Sequence, residues 1–291
     1  MSERYLIEKS LGKGRAGNIY LAQDTLMGRQ VTLRRFEDAP QTQEFRDGFL
    51  ELVRKMVQVE HPNVLSILDA GFDDSGPYIV GARVKGPTVR DLLSHAKKTE
   101  RPISLRHIHT MIAQLLEAID DSQQHGFYHY HLRTTSVVAQ PRVDGLKHYV
   151  MMDLGYNKLT ELLYGKNANV SHGLYDPAFV APELYDGNAQ GVITSMFMLG
   201  QLCYTMLAGK HPMDGMSLET SYAKHRVGEL PSIKGYRYGL SESFVNWLNS
   251  LINPDWKQRP QTISEALSRM PALNDMKSEG DSQSETPMLR D

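Results

Sequence analysis

The feature that most constrains this chain is a change of hydrophobic period near residue 84. Before it, short runs rich in β-branched and aromatic residues alternate with turns: "YLIEKSLG", "NIYLAQD", "QVTLRRF", "VLSILDAGF" and "PYIVGARV". Such runs read as an antiparallel sheet. One helix interrupts them, "TQEFRDGFLELVRKMVQVE", with Phe45, Phe49, Leu52, Val53 and Met56 at spacings of three and four, stopped by "HPN" at His61 to Asn63. After "KGPTVRDLLSHA" the period becomes helical, and Ile108, Ile112, Leu115, Leu116 and Ile119 form one apolar stripe. The expected class is α+β, with a sheet-bearing N-lobe at residues 1–84 and a mainly helical C-lobe at 85–272. Residues 273–291 are polar and are expected to be disordered.

A chain of 291 residues suits one large domain or two tightly joined lobes. Its net charge of -2 offers no basic field to a nucleic acid. The one cysteine, Cys203, lies in the apolar run "LGQLCYTMLAG", which fits a buried small hydrophobe in a reducing compartment. No apolar run approaches the roughly 18 to 20 residues that span a bilayer, and "MSERYLIEKS" lacks the form of a signal peptide. A cytoplasmic chain without a membrane segment is expected.

Two stretches carry candidate chemistry. "LGKGRAGNIYLA" holds Gly12, Gly14 and Gly17 as G-x-G-x-x-G, followed by Ile19. That spacing also suits a dinucleotide-binding turn, but a strand-like run follows it and no amphipathic helix presents its N-terminus. A strand-loop-strand flap over phosphates is favoured, with a plain tight hairpin as the alternative. The second stretch, "HGFYHYHLRTTSVV", contains His125, His129 and His131. A metal site is disfavoured there, because His129 and His131 flank one residue in a loop and no Cys or carboxylate cluster accompanies them.

Taken in order, the glycine loop, "VTLRRF", "HPNVLSILDAG", "PYIVGARVKG", "HGFYHYHLRTTSVV", "MMDLGY", "FVAPELY" and "PDWKQRP" resemble the landmarks of the eukaryotic-type (Hanks-type) Ser/Thr protein kinases, bacterial-like branch, over about residues 5–270. The resemblance implies a two-lobed kinase fold with a nucleotide cleft lined by Gly12, Gly14, Gly17, Ile19, Arg34, Gly81 and Arg83. It makes His129 the structural histidine of the catalytic loop, and Glu183 and Arg259 a structural ion pair. Asp153 falls at the metal-binding aspartate and is the one expected Mg²⁺ ligand.

The departures from the family pattern concern the chemistry. Arg34 stands at the strand lysine, and its wide planar guanidinium is not a conservative exchange for an ammonium. Leu52 stands at the helix glutamate, and Glu51 can replace it only if the helix turns or the alignment shifts by one. His131 takes the catalytic aspartate's place, Ser136 the metal-binding asparagine's, and Arg133 keeps the charge of the loop lysine. Tyr130 replaces the phosphate-reading arginine, Ser195 replaces the aspartate that anchors the loop, and Gly81 takes the gatekeeper position. Gly81 leaves either an enlarged pocket or a gap filled by a neighbour. Thr160, Ser171 and Tyr175 are the candidate phosphoacceptors of the activation segment.

The expected function is therefore a pseudokinase, a regulatory or scaffolding module for a protein partner such as an active kinase or its substrate. Nucleotide binding through the glycine loop, Arg34 and Asp153 stays open, with ATP and Mg²⁺ expected to be weakly held or absent. The alternative is an active or weakly active ATP-dependent Ser/Thr kinase with an atypical catalytic loop.

Overall fold

The computed structural model describes residues 4–14, 17–166 and 174–278. The N-lobe is a five-stranded antiparallel sheet of order β1-β2-β3-β5-β4. Its strands are β1 (Tyr5–Gly14), β2 (Gly17–Asp24), β3 (Arg29–Arg35), β4 (Ile67–Asp73) and β5 (Gly76–Ala82). Alternation on β3 decides what each face does, because successive side chains point to opposite sides. Val31 and Leu33 join Ala22 and Val80 in a buried cluster, which leaves Thr32 and Arg34 on the opposite face.

Helix α1 (Gln43–Val57) starts where the Thr42 hydroxyl accepts the Phe45 N–H, and it buries Phe45, Phe49, Val53 and Met56. The lobes are then joined through "HPN". The Asn63 side chain donates to the Tyr149 carbonyl at 2.7 Å and to Gln114 Oε1 at 3.0 Å. Backbone bonds run from Met151 N–H to the Asn63 carbonyl at 2.7 Å and from Leu65 N–H to the Met151 carbonyl at 2.9 Å.

The C-lobe contains α2 (Val89–Thr99), α3 (Leu105–Gln124), a hairpin of β6 (Val137–Pro141) and β7 (Lys147–Met151), and α4 (Tyr156–Tyr164). Beyond residue 173 follow α5 (Pro182–Tyr185), α6 (Val192–Ala208), α7 (Leu218–Arg226), α8 (Glu242–Leu251) and α9 (Ile263–Arg269). The stripe on α3 is wholly buried. Helix α6 is buried almost all round, which makes it the axis of this lobe, and Cys203 sits inside it fully covered.

The tail boundary differs from the sequence expectation. Leu273–Met276 form a 3₁₀ turn, Met276 is fully buried, and Lys277 bridges Leu240. Met276, with Leu273 packed beside the same cluster, holds this stretch to the core. Residues 279–291, on which the rest of the expected disorder falls, lie outside the described residues.

Two buried polar sites brace the C-lobe. Arg259 grips Glu183 in a bidentate pair, Nη1 to Oε1 at 2.6 Å and Nη2 to Oε2 at 2.9 Å. Its Nε donates to the Asn253 carbonyl at 2.8 Å, its plane lies 4.5 Å from the Phe197 ring centroid, and the Thr194 hydroxyl donates to Glu183 at 2.8 Å. At the second site His211 donates from Nε2 to Gln201 Oε1 at 2.9 Å and accepts the Met213 N–H on Nδ1 at 3.1 Å. These two bonds specify the neutral ring. His225, whose ring lies 6.0 Å away, donates to the Ala178 carbonyl at 3.2 Å.

Arg259→Met leaves a buried carboxylate unpaired and should cost about 3–5 kcal/mol. Guanidinium unfolding will read this, and a Glu183→Gln, Arg259→Met double variant should recover part of the loss. The histidines make a separate prediction. Burial depresses His211 to about 3 and His225 to about 4, while the unfolded chain titrates near 6.5. The folded state therefore binds fewer protons, and stability is full above about pH 6.5 and lost as pH falls from there toward about 4. The slope should approach about 1 kcal/mol per pH unit for each ring. Denaturant midpoints between pH 7.5 and 5 measure it, and His225→Phe should flatten it.

Candidate functional site

The site forms where β3 faces the turn after β7. Arg34 reaches across the lobes so that Nη2 lies 2.5 Å from Asp153 Oδ1. Arg133 approaches the other carboxylate oxygen, Nη2 to Oδ2 at 3.9 Å. Asp153 takes a left-handed backbone with φ of 60°, uncommon for a residue with a side chain. Burial alone would raise its carboxyl pKa, but Arg34 and then Arg133 outweigh burial and hold it below the ordinary carboxylate value. Burial likewise opposes the charge of Arg34, and Asp153 and Tyr156 reverse that effect. The Arg34 guanidinium also lies 4.5 Å from the centroid of the Tyr156 ring.

The catalytic-loop segment is held by short bonds between its side chains and nearby backbone groups. His129 Nε2 bonds the Met152 carbonyl at 2.5 Å and its Nδ1 accepts the His131 N–H at 3.3 Å. The Ser136 hydroxyl donates to the Arg133 carbonyl at 3.0 Å and accepts the Arg133 N–H at 2.9 Å. It is fully buried and turned into its own loop. Arg133 Nε donates to the Thr135 hydroxyl at 2.8 Å. The His131 ring is 4 % exposed, edge-on to Tyr156 at 5.5 Å and tilted against Tyr175 at 5.1 Å. His125 sits apart at the end of α3, exposed, with Nδ1 at 3.2 Å from the Asp121 carbonyl.

The other expected positions fall as follows. Gly14 and Gly17 close the β1–β2 turn, and Ile19 pairs with Arg34 in the sheet, so the glycine loop lies on the strand neighbouring Arg34. Gly17 has φ of 100°, and a Cβ there would stand 2.5 Å from the Arg35 carbonyl oxygen, so only glycine fits. At Gly81 a Cβ would meet Leu65 Cδ2 at 2.9 Å, so a neighbour fills the gatekeeper gap. Arg83 is exposed beyond the end of β5. Leu52 packs half-buried against the core. Glu51 points outward and pairs with Lys55 at 2.6 Å, so it does not stand in for the helix glutamate. Tyr130 is buried and stacked on Tyr128, and the Ser195 hydroxyl faces its own helix at the Gly191 carbonyl, 3.4 Å away. Thr160 and Tyr175 are both buried, and Ser171 lies outside the described residues.

Three participants escaped the sequence reading: Tyr156 beneath Arg34, Leu65 in the gatekeeper gap, and the whole of α4. The signal for α4 was present, since Tyr156, Leu159, Thr160 and Leu163 follow a helical spacing and all four are buried. Together with Phe45, Phe49 and Val53 of α1, Tyr156, Leu159 and Leu163 form one cluster.

This donor set does not fit a magnesium ion. Mg²⁺ demands near-octahedral oxygen ligands at about 2.0–2.1 Å. Asp153 turns both of its oxygens toward guanidinium groups, and the Ser136 hydroxyl is spent on its loop. Among the described residues no group of three or more His, Cys, Asp or Glu could hold a metal. The same cations do suit phosphate oxygens.

Comparison with known proteins places this geometry. The chain is 26% identical over 267 residues to the serine/threonine-protein kinase PrkC of Bacillus subtilis, covering 91% of this chain and 40% of PrkC. It is 24% identical over 273 residues to the probable serine/threonine-protein kinase PknB of Lactococcus lactis, covering 91% of this chain and 41% of that one. The chain thus spans about two fifths of the length of these relatives. Its fold is similar to the crystal structure of the Mycobacterium tuberculosis PknI kinase domain, with a TM-score of 0.69 at 18% identity, covering 94% of this chain and 96% of that one. The family model for the protein kinase domain matches residues 5–270, and the chain belongs to that family, in its bacterial-like eukaryotic-type branch.

Proposed function

We propose that this kinase-like domain is a pseudokinase, impaired in phosphoryl transfer, which works through protein contacts as a regulator or scaffold for an active kinase or its substrate. Members of the family generally use ATP and Mg²⁺ and act on or with proteins. The observation that carries the reading is His131. A general base must come within about 2.6–3.2 Å of the proton it removes, and the group at that position is an imidazole 4 % exposed between two tyrosine rings. Further support comes from the outward Glu51 and from Ser136, whose hydroxyl is turned into its own loop.

Losing the base costs about 10² to 10⁴ in rate, and losing one preorganised electrostatic contact about 10² to 10³. These losses do not simply multiply. Even so, a turnover of about 1–100 s⁻¹ would fall by about four decades. A cytoplasmic setting fits the lone Cys203, whose thiol burial keeps protonated. Among the described residues no helix is long and apolar enough to cross a membrane. With a net charge of -2, no nucleic-acid partner is proposed.

A second reading, a weakly active ATP-dependent Ser/Thr kinase, draws on the names of the relatives and on Arg133, which keeps the loop's positive charge. Phosphotransfer from radiolabelled ATP to a generic protein substrate separates the two. The native chain should stay at background. Transfer by the native chain at the rate of a His131→Asp, Ser136→Asn variant would establish the second reading instead.

A further inference from the structure

We propose that this cleft binds the polyphosphate of a nucleoside triphosphate without a divalent cation, Arg34 and Arg133 supplying the positive charge and Asp153 holding their place until the anion arrives. The inference rests on the nucleotide-cleft reading above and deepens it by naming the form of the ligand. Its starting point is the mismatch between the donor set and magnesium. Two guanidinium groups face one carboxylate, so the contact carries one net positive charge before any metal enters. His129 adds none, because its Nδ1 accepts an N–H and burial lowers its pKa.

A guanidinium fork receives carboxylate and phosphate oxygens in the same geometry. Asp153 and an incoming phosphate therefore compete for one position. Arg34 and Arg133 keep 17% and 14% of their side-chain exposure, so an anion in solvent has access to both. The glycine loop lies on the adjoining strand, where the partner of Arg34 is Ile19. A Cβ at Gly12 would meet nothing within 4 Å, which leaves room for a ligand against that backbone. A metal bound to the phosphates would instead need oxygens from the chain, and those of Asp153 are already engaged by cations. Magnesium should thus oppose binding, since it occupies the phosphate oxygens that the arginines would take.

The sign of this effect is what distinguishes the proposal. Where a metal bridges aspartate and phosphate, removing the aspartate charge weakens nucleotide binding; here it should strengthen it. Thermal melting and equilibrium titration of the whole chain with ATP and with inorganic tripolyphosphate, in EDTA and in excess Mg²⁺, provide the test. Both anions should raise the melting temperature in EDTA, and Mg²⁺ should diminish the rise. Asp153→Asn should bind ATP about tenfold more tightly, and Arg34→Leu should lose the shift. A shift that requires Mg²⁺, a loss of binding in Asp153→Asn, or no shift with either anion would overturn the proposal. Should Asp153→Asn fail to fold, the comparison of EDTA with Mg²⁺ on the native chain decides alone. The pseudokinase reading stands or falls separately, because the phosphotransfer assay reports on transfer whatever the metal dependence of binding.

Discussion

A carboxylate taken out of water has to be met by cations or give up its charge. Asp153 is met twice, by Arg34 from the sheet and by Arg133 from the loop below it. The strand position of Arg34 is set by its ladder partners Ile19 and Ile79, and its side chain has one direction to go. Nothing on α1 competes for it, since Leu52 is apolar and Glu51 is turned outward to Lys55. The lysine–glutamate contact that ties strand to helix in the family pattern is thus replaced by a contact that ties strand to the opposite lobe.

That contact carries into the segment that follows. Gly155 takes a left-handed backbone and opens α4 without a side-chain cap, and Tyr156 comes to lie against both Arg34 and His131. Leu159 and Leu163 then pack on Phe45, Phe49 and Val53. Burying each leucine is worth about 1.5–3 kcal/mol, whereas an exposed pair such as Glu51–Lys55 is screened by solvent and contributes far less. Apolar burial therefore decides the setting of α1, and the charges on its outer face follow it.

Much of this was legible from residue spacing. The five strands, α1 with its Thr42 start, and the α3 stripe all follow from period and capping, because each depends on neighbours close in sequence. The landmark motifs located Asp153, His129, Glu183 and Arg259 for the same reason. What did not follow depends on contacts between distant positions. Leu65 fills the place beside Gly81 only once β4 and β5 are paired. Tyr156 meets Arg34 across 122 residues only once the lobes close. The helical spacing of α4 is present in the sequence, but the helix is only nine residues long and depends on packing against α1, which lies far from it in the chain. The buried Met276 shows the same limit at the other end, where it and Leu273 outweighed the polar composition around them.

The loop around His131 is shaped by a local network of hydrogen bonds. Several of its bonds are made by neighbouring groups: His129 to the Met152 carbonyl and to the His131 N–H, Ser136 to both backbone groups of Arg133, and Met152 N–H to the Ser136 carbonyl. These bonds use the backbone of His131 and the side chains of His129 and Ser136. The His131 ring finds its own place between Tyr156 and Tyr175 and fills the space there. Glu183 and Arg259 are different, because each is the other's buried counter-charge and neither can change alone without cost. Residues whose partners lie within the fold are constrained by stability, and residues whose partner was a ligand are not. That division agrees with the proposed function, in which the Glu183–Arg259 pair is kept while His131 and Ser136 depart from the family pattern.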